Sequence, residues 1–150
     1  MKPLIVLLSV FGVSCLATFI AGHPPDYYFC GRLAMAVMLI FAATAHFKFN
    51  KGMVLMLPSF VPLKKMVVYI TGYIEILAAI GLLVNKVRLP VAWFVICFLV
   101  VLLPANIYAA QNKVNLERAD YCGYGLNYLW FRVPLQVFFI VWVYYFGVVN

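Results

Sequence analysis

Five apolar runs organise the chain, at residues 4–22, 31–48, 66–84, 89–110 and 129–148. Each is close to the ~20 residues a helix needs to cross the hydrocarbon of a bilayer. Leu89-Pro90 opens the fourth run, with proline where a first helical turn tolerates it. The pattern predicts an all-α membrane protein in a single domain, 1–150, with no low-complexity segment and no internal repeat. The first run is open to two readings: "PLIVLLSVFGVSCLATFIAG" after Lys2 reads as a signal peptide or as a retained helix over 1–22. Its apolar length of about nineteen residues exceeds the ~7–15 of a signal-peptide core, which favours a retained helix.

Composition agrees with the pattern. Residues are 67% hydrophobic and only 10% charged, against ~25% charged in an ordinary soluble domain. The net charge of +7 is carried by short breaks between apolar runs. That distribution suits membrane orientation and anionic headgroups, and no nucleic-acid partner is expected. With the N-terminus inside, the inner breaks hold Lys2, Lys48, Lys51, Lys64, Lys65, Lys113 and Arg118, and the outer ones Arg32, Lys86 and Arg88. The excess of cations sets this orientation under the positive-inside rule. Cleavage of the first run would leave the other helices oriented the same way.

The break "KGMVLMLPSFVPLKKM" (51–66) is apolar, interrupted by Pro58 and Pro62 and bracketed by lysines. It reads as an interfacial or shallow re-entrant segment. The four cysteines, Cys15, Cys30, Cys97 and Cys122, form no C-x-x-C pair. Cys15 and Cys97 lie in apolar runs, where a free thiol behaves as a small hydrophobe. Cys30 and Cys122 flank different helices on opposite sides, which argues against a disulfide between them.

Glu75 is the one acidic residue inside an apolar run, since Asp26, Glu117 and Asp120 lie between runs. The predicted topology brings other polar groups to the same leaflet: His46 from the second run, Thr71 from the third, Asn106 and Tyr108 from the fourth, and Arg132 and Gln136 from the fifth. The outer halves look close to pure hydrocarbon. Thr71 and Glu75 are spaced i,i+4, as are Arg132 and Gln136, so each pair shares a helix face. Pro104 should kink the fourth helix and free the carbonyl of Val100. A charge at mid-membrane costs ~2.5–3.5 kcal/mol on insertion scales, so Glu75 needs a partner, and Arg132 is the first choice. Glue between helices is the structural alternative to a ligand or proton site. Tyr69 and Tyr108 suit an interfacial aromatic belt.

Several chemistries are excluded. A haem held by two histidines needs both at one depth, and His23 and His46 lie near opposite faces. Two histidines and one buried carboxylate make a poor zinc or di-iron set, so no metal is expected. No glycine-rich phosphate loop or nucleophile elbow is present.

The segments "ATAHFKF" (43–49), "MLPSFVP" (56–62), "TGYIEILAAIGLLV" (71–84), "LLPANIYAA" (102–110) and "FRVPLQ" (131–136) resemble, in order, those of the DoxX-like family of small integral membrane proteins. The resemblance covers about residues 33–146. It implies a four-helix transmembrane bundle over about 31–148, with the run at 1–22 as an addition. It also implies association with quinone-linked redox systems, since named members are subunits of a thiosulfate:quinone oxidoreductase or partner oxidative-stress proteins. His46, Pro58, Thr71, Glu75, Asn106, Arg132, Pro134 and Gln136 occupy the family's marked positions. Ala43 stands where glycine is expected, and Asn85 where proline is usual.

The expected function is a membrane subunit or accessory protein of quinone-linked redox chemistry in a bacterial cytoplasmic (inner) membrane. In that reading Arg132, Asn106, Thr71, Tyr108 and Gln136 line a headgroup pocket, and His46 and Glu75 handle protons. The chain holds no redox centre, so electrons come from a membrane redox partner. The alternative is a non-enzymatic scaffold or assembly protein whose polar cluster is structural. A small transporter is disfavoured by a single site in one leaflet and no inverted repeat.

Overall fold

The computed structural model describes residues 2–22, 24, 26–123 and 125–149, with the side chains of 126–128 excepted. His23 lies outside the described residues. In chain order the elements are α1 (Lys2–Ile20), α2 (Tyr27–Lys48), α3 (Asn50–Leu55), α4 (Lys64–Leu83), α5 (Arg88–Gln111) and α6 (Leu126–Val143), then a π-helical turn, Tyr144–Val148. Among the described residues, five helices are long and apolar enough to cross a membrane: α1, α2, α4, α5, and α6 continued through the π-helical turn.

The helices match the apolar runs because a run of ~20 apolar residues can satisfy its backbone in lipid only as a helix. The largest extension beyond a run is at α2, which starts four residues early. Asp26 caps it, its side chain accepting a hydrogen bond from the Phe29 amide at 3.0 Å. Arg32, expected in an outer break, is therefore inside α2 and 6% exposed. The outer half, expected to be close to pure hydrocarbon, thus encloses one guanidinium. Cys30 is likewise inside α2 and buried, and all four cysteines are free thiols.

Neighbouring helices alternate in direction, and the contacts between them define two ends. Lys2 Nζ meets Glu117 Oε1 at 3.1 Å, and Gly52 of α3 packs against the Leu116 carbonyl. Lys2, the 49–63 segment and the 112–123 loop thus share one end, called proximal below. At the distal end Gly31 lies against the Phe146 ring, and Trp142 Nε1 donates to the Gly31 carbonyl at 3.0 Å. The 49–63 segment is a short helix followed by turns. Lys64 Nζ donates to the Leu57 carbonyl at 2.9 Å, closing the proline-containing turn onto the start of α4.

Between the ends lies a dry core built from Met35, Leu39, Ala79, Leu82, Ala92, Val95 and Val143, among others. α1 adds the fully enclosed Leu7, while most of its remaining surface is exposed apolar side chain. Phe11 stacks edge-on against Trp142, with ring centres 5.1 Å apart.

Candidate functional site

The polar groups singled out along the chain form two sets in the proximal half. On α2 and α4, His46 Nδ1 is 3.0 Å from the Val68 carbonyl and 3.1 Å from Thr71 Oγ1. A carbonyl oxygen only accepts, so the Nδ1 position carries the proton. The opposite nitrogen, Nε2, is then the one facing Glu75 Oε1, at 3.4 Å. Thr71 Oγ1 also reaches the Val67 and Val68 carbonyls at 3.1 and 2.9 Å, which anchors the hydroxyl to its own helix.

Gly72 makes this contact possible. A methyl group at its Cα would approach His46 Cβ to 2.9 Å. Glycine therefore lets α2 and α4 come close enough for the imidazole to cross between them, as small residues do in membrane helix interfaces.

Glu75 is 5% exposed. At ~1.5 Å per residue it lies ~16 Å along α4 from Lys64, close to mid-span. With Nδ1–H fixed, two arrangements keep Nε2 and Oε1 in favourable contact. Either the carboxyl donates O–H to a neutral imidazole, or a carboxylate faces an imidazolium. The pair carries no net charge in both, which is how an apolar run accommodates the residue. The partner Glu75 finds is His46, not the expected Arg132, which is half-buried on α6. The second carboxyl oxygen, Oε2, is buried and has no hydrogen-bond partner among the described residues.

The second set joins α5 to α6. Asn106 Nδ2 donates to Gln136 Oε1 at 3.2 Å, and Gln136 Nε2 donates to the Leu99 carbonyl. Both side chains are buried. The carbonyl that Gln136 reaches is that of Leu99, next to Val100, whose own carbonyl loses its helical partner at Pro104. α5 runs through Pro104 as one helix. Tyr108 is half-buried near the end of α5, where its carbonyl accepts from Asn112 Nδ2 at 2.9 Å.

Three participants were not legible as site residues. The Val68 and Leu99 carbonyls are invisible in a sequence, because every residue has one. Gly72 had a signal in "TGYIE", a small residue three positions before the buried acid on a helix. Among the described residues no three His, Cys, Asp or Glu side chains converge as a metal would require.

Two cavities are prominent and neither is lined by the polar residues above. A narrow crevice at the distal end borders Gly31, Arg32, Trp142 and Phe146. A wider groove of about 450 Å³ lies between α1 and α6, walled by Leu4, Leu8, Trp130, Phe131, Pro134 and Phe138.

No curated protein and no solved structure matches the chain. A family model described as a domain of unknown function (DUF8561) matches residues 35–147, from the middle of α2 through the π-helical turn. The chain belongs to that family.

Proposed function

We propose that the protein is a DoxX-like integral membrane subunit or accessory protein of quinone-linked redox chemistry. In this reading α2, α4, α5 and α6 form a four-helix transmembrane bundle, and α1 is a retained addition. The membrane is the bacterial inner membrane, with the N-terminus and the proximal end on the cytoplasmic side, as the distribution of lysines supports.

The observation that carries the reading is Glu75 Oε2, a carboxyl oxygen buried near mid-span with no partner, on a residue whose other oxygen faces His46. A buried polar atom left unpaired costs ~1–3 kcal/mol, and a quinol hydroxyl, donating to Oε2, would pair it. The His46–Glu75 unit relays one proton, taking it from a quinol hydroxyl at Glu75 Oε2 while passing its own shared proton on toward the proximal end, so that the pair stays neutral. The second proton and both electrons leave to a membrane redox partner. Asn106 and Gln136 supply amide groups to fix a headgroup, with Thr71, Tyr108 and Arg132 at its margin. The groove between α1 and α6 suits an apolar tail.

A second reading has its own support. Asn106 and Gln136 satisfy each other and the Leu99 carbonyl, which is what interhelical glue in a scaffold or assembly protein would do.

The test is thermal unfolding of the detergent-solubilised protein with a soluble quinone analogue. Ligand binding stabilises by RT ln(1 + [L]/Kd), so the quinone reading predicts a saturable rise in Tm. The rise should vanish in Glu75→Gln and in Asn106→Leu while both remain folded. A wild-type protein indifferent to the analogue would favour the scaffold reading.

A further inference from the structure

The distal end holds a charge that the proximal chemistry does not use. Arg32 is 6% exposed, and among the described residues two of its three guanidinium nitrogens, Nε and Nη1, are buried without a hydrogen-bond partner. Arg88, at the start of α5, also has a buried Nε without one. Arg88 lies one turn before Ala92, which packs on Gly147 in the crevice wall beside Arg32, and Asp26 is the acid nearest Arg32 along the chain. Asp26 Oδ1 is already engaged in capping α2.

We propose that Arg32 and Arg88 form a binding site for an anionic oxygen group, a phosphate or a carboxylate, at the distal end. This stands independently of the quinone reading. Two arginines acting on each other beside one partly committed carboxylate leave the local charge positive. Arginine donors recognise phosphate and carboxylate oxygens in preference to other groups. Stability alone would be served as well by an apolar side chain at position 32.

Arg32 lines a narrow crevice with Gly31, Trp142, Phe146 and Gly147, which an anion would have to widen to reach the guanidinium. One wall is the Phe146 ring, which rests on the bare Cα of Gly31 and against Trp142, with ring centres 4.7 Å apart. Phe146 and Gly147 belong to the π-helical turn, a distortion that often marks functional positions.

The experiment follows the Tm of the full-length protein in a neutral maltoside detergent by tryptophan fluorescence. It is titrated with phosphatidylglycerol and, separately, with inorganic phosphate, against sodium chloride at matched ionic strength. The site predicts a saturable rise with at least one titrant, abolished in Arg32→Met. In Arg88→Gln the half-saturating concentration should increase about tenfold or more. A response to phosphatidylglycerol alone identifies a lipid headgroup as the source, and a response to phosphate alone a soluble anion. No saturable rise with either titrant, or an undiminished rise in Arg32→Met, overturns the site. Should Arg32→Met fail to fold, Arg88→Gln decides, and a shift smaller than tenfold overturns it.

Discussion

The two ends of the molecule handle buried polarity in opposite ways. At the proximal end a carboxyl, an imidazole, a hydroxyl and two amides form two sets that cross helix pairs and reach backbone carbonyls, and among the described residues Glu75 Oε2 is the one buried atom of these side chains without a partner. At the distal end a guanidinium is buried with two nitrogens unpartnered, beside a second arginine. Neutral or self-neutralising groups can be glue and site at once, because they remain tolerable when the ligand is away. A lone cation cannot neutralise itself, so its burial asks for an outside partner. The contrast separates a proton-handling unit from an anion-holding one.

The largest effect should come from splitting the neutral pair. Glu75→Leu or His46→Leu leaves the other group without its partner and should cost about 3–5 kcal/mol in unfolding measurements. The double variant should cost clearly less than the sum. Arg132→Gln, combined with Glu75→Leu, should instead be additive within ~0.5 kcal/mol. Non-additivity there would make Arg132 part of the pair and break the account of the proximal end.

Next comes the close approach that allows the pair. Gly72→Val would force its side chain into His46 Cβ, 2.9 Å from the added carbon, with an expected loss of about 2–3 kcal/mol. Alanine at the same place should cost less. Gln136→Leu should then cost about 1–2 kcal/mol, since it leaves Asn106 Nδ2 unpaired inside the core. A neutral result at Gln136 would show that water reaches this end, which would blur its difference from the distal one.

The smallest effect is expected at the surface. Lys2 and Glu117 form an ion pair with both side chains mostly exposed, so Lys2→Ala should change stability by less than about 1 kcal/mol. That change should fade in high salt, as the burial-dependent ones should not.

The five long helices were legible because run length alone carries the signal in a chain this apolar. Helix starts were less legible. The run beginning at residue 31 hid the capping signal of Asp26, so Arg32 passed for a loop charge when it lies in the second turn of α2. For the same reason the distal crevice could not be foreseen, since it depends on where Phe146 folds back onto Gly31. The proximal residues are legible as polar groups inside apolar runs that the topology brings to one leaflet, while the contact of Glu75 with His46 is not. Periodicity reports which residues share a face of one helix and says nothing of which helix lies opposite. Only the packing of α2 on α4, set by Gly72, gives Glu75 to His46.

The most direct test of the central claim is lipid extraction and mass spectrometry of the gently purified protein and its Glu75→Gln variant. The account predicts quinone enriched over bulk membrane lipid in the wild-type protein, approaching one per chain, and depleted in the folded variant. Quinone at the bulk level in both, or equal enrichment in both, would contradict it.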